Sequence, residues 1–296
     1  MFVNAIEAIQ KFTRPVHSIV RYYHSDRIQP GAATLFFVNE SGVAVTCKHV
    51  VEQLLAEHSL NANYTAFKSE RELLKSNSGG VDELGLRELE SKYHYSSAGA
   101  VAQLKNQLVN CTDSPNYDYL LHPTLDLAIL KFREVKQYHY TSYATFLKDG
   151  TQLKQGKSLC RYGFPFAEFK NFEYDPVRDE INFTKEGISA TPSFPMDGLL
   201  TRHVAEGQAI VGIELSTPGL KGQSGGPLFD TNGIVCGMQS GTAQYHMGFD
   251  DKEIEIISKG GKSNVLNHSF LNVGRCIHVE AIKEFLTLHQ VKFYEH

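Results

Sequence analysis

Paired cysteines are missing from this 296-residue sequence. Its five cysteines (Cys47, Cys111, Cys160, Cys236 and Cys276) are odd in number, widely spaced and without a C-x-x-C. That disfavours a disulfide framework or a cysteine zinc site and leaves reduced packing residues. Long apolar runs are missing too. The opening MFVNAIEAIQKFTRPVHSIVRYY has no cationic head followed by an apolar stretch, so neither a signal peptide nor a membrane span is expected, and a cytoplasmic chain is. A basic excess is absent: the formal net charge is −4, which argues against a nucleic-acid surface. No Walker pattern, HExxH or dinucleotide-binding glycine run occurs, so no metal, nucleotide or organic cofactor is expected. What remains is an ordinary globular composition, 42% hydrophobic and 21% charged, with material for one large or two ordinary domains.

Along the chain, a short helix is expected near Val3 to Phe12, then a strand at HSIVRYY. In GAATLFFVNESGVAVTCKHVVEQLL, two β-branched and aromatic runs flank Asn39-Glu40-Ser41-Gly42, which reads as a hairpin ending near His49. Residues from about 55 to 117 are rich in Leu, Glu, Lys and Ala at helical spacing and read as a helical and loop insertion. Short strands then resume at intervals of roughly ten residues, as barrels or a sandwich require. AIKEFLTLHQ closes the chain as an amphipathic helix, about 280–290.

GQSGGP, residues 222–227, carries the clearest chemistry. Gly222-Gln-Ser224-Gly-Gly226 also satisfies G-x-S-x-G, but that elbow needs a helix after the serine. Here the sequence continues PLFDTNGIVCGM, two apolar pieces around a turn, which is a hairpin. Ser224 therefore lies in a loop whose Gly222 and Ser224 amides can face one point and hold an oxyanion. A serine hydroxyl needs a base and something to orient that base. His49 ends an apolar strand, and Asp126 opens LDLAILKF, where a carboxylate leading into a buried strand needs hydrogen bonds such as those of an imidazole. The remaining histidines, His278 in the closing strand among them, read as surface or packing residues.

VTCKHVV, LDLAILKF and GQSGGPLFDTNGIVCGMQSG, in that order, resemble the three catalytic segments of the chymotrypsin-like (trypsin-fold) serine proteases, most closely the bacterial HtrA (Deg) branch. VGRCIHVEAIKEFL is similar to that branch's last strand and helix. The resemblance implies a mainly β fold of two antiparallel six-stranded barrels, here with a helical insertion in the first and a C-terminal helix. Residues 1–140 would form the half carrying His49 and Asp126, and residues 141–296 the half carrying Ser224. It implies a serine endopeptidase acting on polypeptides through an acyl-enzyme. Ser224 would be the nucleophile, His49 the general base, Asp126 the orienting carboxylate, and the Gly222 and Ser224 amides the oxyanion hole.

Departures from the family carry their own expectations. Gln223 stands where digestive members have the aspartate that pairs with a cleaved N-terminal amine, so activation by that ion pair is not expected. No PDZ module is expected after the last strand. Pro218 stands where trypsin-like selection of Lys or Arg needs an acid, and Gln239 where glutamyl endopeptidases use histidine. With Gly219, Ser240 and Gly241 they suggest a pocket for a small or medium neutral residue on the acyl side of the cut bond. The insertion could cover the cleft or recruit a partner such as a protein activator or regulator, and a second extra stretch, 248–270, reads first as a solvated hairpin with charged faces and otherwise as a regulatory or substrate loop. The alternative function is a latent or non-cleaving scaffold whose inserted helices bind a partner.

Overall fold

The structure is a computed structural model and describes residues 1–78, 83–258 and 261–296. Helix α1 (Val3–Ile9) buries Ala5 and Ile9, four residues apart and therefore on one face. Strands β1 (Thr13–Tyr22), β2 (Ile28–Phe37) and β3 (Val43–Thr46) follow. The Asn39 side chain makes the turn before β3, its Oδ1 accepting from the amides of Ser41 and Val43. Helices α2 (Lys48–Ser78) and α3 (Glu83–Lys92) interrupt the strands. Strands β4 (Val101–Leu108), β5 (Tyr117–Leu121) and β6 (Ala128–Phe132) then complete a six-stranded sheet of order β4-β1-β2-β3-β6-β5.

The second sheet is built from β7 (Thr145–Phe146), β8 (Ser158–Arg161), β11 (Met196–Glu206), β12 (Ala209–Leu215), β13 (Pro227–Phe229), β14 (Val235–Ser258), β15 (Gly261–His278) and β16 (Tyr294–Glu295), while β9 (Phe172–Asp175) and β10 (Glu180–Phe183) pair as a separate hairpin. Strand β13 pairs with both β8 and β14, so β13-β8-β11-β12-β15-β14 closes into a six-stranded barrel. The architecture is the expected mainly β, trypsin-like double barrel. One departure from an antiparallel plan is β7, which pairs parallel with β14 and β16. Helix α4 (Val279–Leu288) buries Val279, Ile282, Phe285 and Leu286 on one face and shuts the end of the core. That core is continuous across the sheets, with Phe36 and Phe37 of β2, Ile129 of β6, Ile213 of β12 and Val235 of β14 in one cluster.

Helix α2 begins at Lys48, before the insertion expected from residue 55, and runs on unbroken to Ser78. Within the stretch read as helical and loop, the helical reading of SAGAVAQLKNQLVNC, residues 97–111, is corrected: Val101–Leu108 is a strand paired with β1. Its Leu, Lys and Gln content favours helix locally, but the open edge of β1 offers a ladder of hydrogen bonds, and tertiary pairing overrides propensity. Helix α2 lies along this strand. The Asn61 side chain brackets Leu104, donating to its carbonyl at 2.7 Å and accepting from its amide at 3.1 Å. The inserted helices have a core of their own in Tyr64, Phe67, Leu89 and Tyr95. They are tied to the β9–β10 hairpin through Asp179, which accepts from Arg21 at 2.7 Å and Tyr64 at 2.6 Å. Strands β14 and β15 pair from Gly237 with His278 out to Ser258 with Gly261, so the extra stretch is a hairpin; its turn and most of its side chains lie outside the described residues.

Candidate active site

His49 stands in the first turn of α2, three residues after the fully buried β3 ends at Thr46. Asp126 lies between buried Leu125 and Leu127, immediately before β6. Because β3 and β6 are neighbours, with Thr46 opposite Ala128, the two ends meet. Asp126 Oδ2 and His49 Nδ1 are 2.8 Å apart, and the His49 amide donates to Asp126 Oδ1 at 3.0 Å. A ring and a backbone amide thus occupy both oxygens of one carboxylate, which fixes the imidazole with Nε2 free. Burial alone would push the Asp126 carboxyl up, but the hydrogen bonds from the His49 ring and amide outweigh it and hold the group below the ordinary carboxylate value. The same bond raises the His49 imidazole above its ordinary value, against the opposing pull of burial.

Cys47 completes a cluster of donor atoms with His49 and Asp126, all within 4.8 Å. Its thiol is fully buried, gives its hydrogen to the Gln239 carbonyl at 3.3 Å, and is pushed well above its ordinary pKa by burial. A thiol held protonated is a poor metal ligand, and we assign the cluster no ion. All five cysteines are free and buried.

The Ser224 loop is held by its backbone. The Ser224 carbonyl accepts from the Thr34 amide of β2 at 2.9 Å, and the Gly225 amide donates to Gln239 O at 2.8 Å. Gly222 has φ +96°, and its carbonyl accepts from Thr34 Oγ1 at 2.8 Å. A side chain at Gly222 would collide with the Phe164 carbonyl, and one at Gly225 with the Thr34 carbonyl, so both positions demand glycine. The amide between them is committed, Gln223 N donating to Leu220 O at 3.0 Å. Among the described residues the amides of Gly222 and Ser224 have no protein acceptor, and Ser224 Oγ makes no hydrogen bond to His49 or to any other group. An orienting acid, an imidazole, a half-buried hydroxyl and two unspent amides are the parts that acyl transfer needs.

The trypsin-like peptidase domain family matches the chain over residues 33–238, a span that includes His49, Asp126 and Ser224. The chain belongs to that family. No curated protein sequence matches this chain. Among solved structures it is similar to the HtrA-type protease AlgW with a decapeptide (13% identity, 98% of this chain and 68% of that one, TM-score 0.49). It is similar also to AlgWS227A with a tripeptide (13%, 97% and 62%, 0.47) and to the Rv3671c protease from M. tuberculosis in its active form (12%, 98% and 86%, 0.46). The chain thus spans less than two thirds of the length of the AlgWS227A chain.

Of the residues expected at the specificity pocket, the stretch of Pro218 and Gly219 and the stretch of Gln239, Ser240 and Gly241 are brought side by side, joined where Thr242 Oγ1 donates to Gly219 O at 2.8 Å. Ser240 turns its hydroxyl to the Arg275 carbonyl at 3.0 Å. Gln223 is fully buried and joins Leu220 to Phe194 through its carboxamide, with neutral hydrogen bonds of 3.1 Å each. His278 caps α4, its Nδ1 accepting from the Glu280 amide. A cleft of about 550 Å³ runs between Gly31 of β2, Val50 and Gln53 of α2, Phe166 and Lys221. Sequence reading missed Thr34 and Arg161. Both sit in short apolar runs, AATLFF and SLCRYG, where a lone polar residue facing inward was the available signal.

Proposed function

We propose that the peptidase domain is a serine endopeptidase in which His49 takes the proton of Ser224 Oγ, Asp126 stabilises the imidazolium, and the Gly222 and Ser224 amides hold the oxyanion. The observation that carries this reading is the short Asp126–His49 pair, made before substrate binds, beside a loop whose two oxyanion amides are uncommitted. Attack on a peptide carbonyl gives an acyl-enzyme; His49 then protonates the leaving amine and activates water. The cleft lined by Gly31, Val50 and Phe166 would take the leaving-group side of the peptide. Residues 1–140 and 141–296 serve as the two halves around the cleft. Five unpaired cysteines favour a reducing, cytoplasmic setting.

Two observations favour the latent alternative. The missing Ser224–His49 hydrogen bond and the Thr242–Gly219 bridge describe a site still to be completed, and a peptide or an activator bound to the inserted helices could complete it. Labelling with a fluorophosphonate probe, beside Ser224→Ala, tests the main reading. Labelling at Ser224 that disappears in the variant, with hydrolysis of peptides falling about 10⁶-fold, is the expected result. A well-folded protein that neither labels nor cuts would defeat it.

A further inference from the structure

Arg161, the last residue of β8, is the largest fully buried side chain among the described residues. A guanidinium away from water normally has a carboxylate beside it, because an unpaired buried charge is costly. Arg161 has none within ion-pair reach among the described residues. Its Nη1 donates to Gln239 Oε1 at 3.0 Å and its Nη2 to Thr217 Oγ1 at 2.6 Å, both neutral acceptors, and its buried Nε has no partner. The guanidinium lies flush against Gly274, where any side chain would collide with Nη1. The fold makes room for a cation and puts no carboxylate in contact with it, Asp197 acting on it only at longer range.

Its neighbour shows where the anion would go. Gln239 is 1% exposed, and its main-chain carbonyl accepts from the amide of Gly225, the residue after the nucleophile, so it is anchored to the Ser224 loop. Arginine can only donate. The Gln239 carboxamide must therefore give its oxygen to Arg161 and turn its NH₂ the other way, toward Gly241 O and Gly219, between the two stretches. A side chain at Gly219 would collide with that nitrogen. The pocket floor is thus a donor pair with a positive charge one residue behind it, and Pro218 and Gly219 bring no acid to offset it.

We propose that Arg161, acting through Gln239, makes this pocket a carboxylate-recognition site, so that the peptidase domain cuts after glutamate or aspartate. The proposal rests on the hydrolase reading and replaces the neutral preference expected from Pro218, Gly219 and Gln239, which took no account of Arg161. The substrate carboxylate displaces Gly241 O from the Gln239 NH₂ and feels the guanidinium field through a low-dielectric interior. A basic side chain is repelled, and an apolar one leaves the donors with only the Gly241 carbonyl.

Three measurements test this together. The first is fluorophosphonate labelling of Ser224. The second is kcat/KM on peptides that differ only in Glu, Gln, Leu or Lys before the cut, and the third is equilibrium binding to Ser224→Ala of product peptides ending in Glu, Leu or Lys. The expected result is a preference for Glu over Leu and Lys of about 10- to 100-fold in kcat/KM, with the same order in binding. Arg161→Met should reverse the Glu-to-Leu ratio. Gln239→Leu, which leaves the guanidinium in place, should abolish the preference and covers the case in which R161M fails to fold. A labelled Ser224 with no preference for Glu overturns this proposal and leaves the hydrolase reading standing. An unlabelled protein that still selects Glu-ending peptides overturns the hydrolase reading and leaves the pocket standing, and absence of both overturns both.

Discussion

His49 and Asp126, beside the ends of the neighbouring strands β3 and β6, are joined by two hydrogen bonds of 2.8 and 3.0 Å, whereas the Ser224 hydroxyl, carried between strands of the other sheet, makes none among the described residues. The contrast is between a side-chain pair that is directly bonded and a side chain positioned only through its backbone. Neighbouring strands β3 and β6 fix the acid–base pair in register, so its geometry is inherited from the sheet. The nucleophile loop takes its anchors from both sheets, Thr34 from one and Gln239 from the other. Order in the first part is thus a local property, and order in the second depends on how the sheets meet.

If that contrast is right, breaking the pair should cost most. Asp126→Asn keeps the shape but frees the imidazole to adopt the wrong tautomer, and kcat should fall about 10⁴-fold. The pH profile adds a sign. His49 must be neutral to accept a proton, and Asp126 raises its pKa, so the acid limb of kcat/KM should lie above the ordinary imidazole value and move to lower pH in the variant. On the loop side, Gly222→Ala forces a side chain into the Phe164 carbonyl and disturbs one oxyanion donor, for a loss of about 10²- to 10³-fold in kcat with little change in the pH profile.

Acid offers a way to loosen both parts together, because each sheet buries one neutral histidine. His17 of β1, stacked on Phe169 at 3.9 Å, and His278 at the start of α4 are both pushed down to about 4 by burial. An unfolded imidazole at its ordinary value binds protons that the folded one refuses, so stability is full above about 6.5 and is lost as pH falls from there toward 4. A loss on the order of 2 kcal/mol per histidine between about pH 7 and pH 5 is expected in urea titrations, reduced in His17→Gln. The smallest effect should come from the bridge itself. Thr34→Val removes the hydroxyl bond to Gly222 O and should lower stability by about 1 kcal/mol. It should weaken probe labelling of Ser224 about as much as it weakens peptide cleavage.

What the sequence disclosed follows the same division. His49, Asp126 and Ser224 stood out because each sits where a strand ends, and strand ends are written locally in β-branched runs and turn residues. The double barrel and the closing helix were legible for that reason too. Strand β4 was not, since Val101–Leu108 has the composition of a helix and becomes a strand only because β1 has an unpaired edge. Thr34 and Arg161 were hidden for a related reason. Their partners, Gly222 and Gln239, are 188 and 78 residues away, and no local pattern records a contact at that range.

The collision awaiting any side chain at Gly225 bears on how the motif should be read in other chains. The glycines around Ser224 are imposed by carbonyls of neighbouring strands, and the serine by chemistry, so the two obey different pressures as a sequence drifts. A descendant that lost its nucleophile would still be compelled to keep the glycines in order to bring its halves together. Finding the glycine frame in a distant sequence therefore reports that two barrels still meet, and the residue at its centre alone reports whether they still cut.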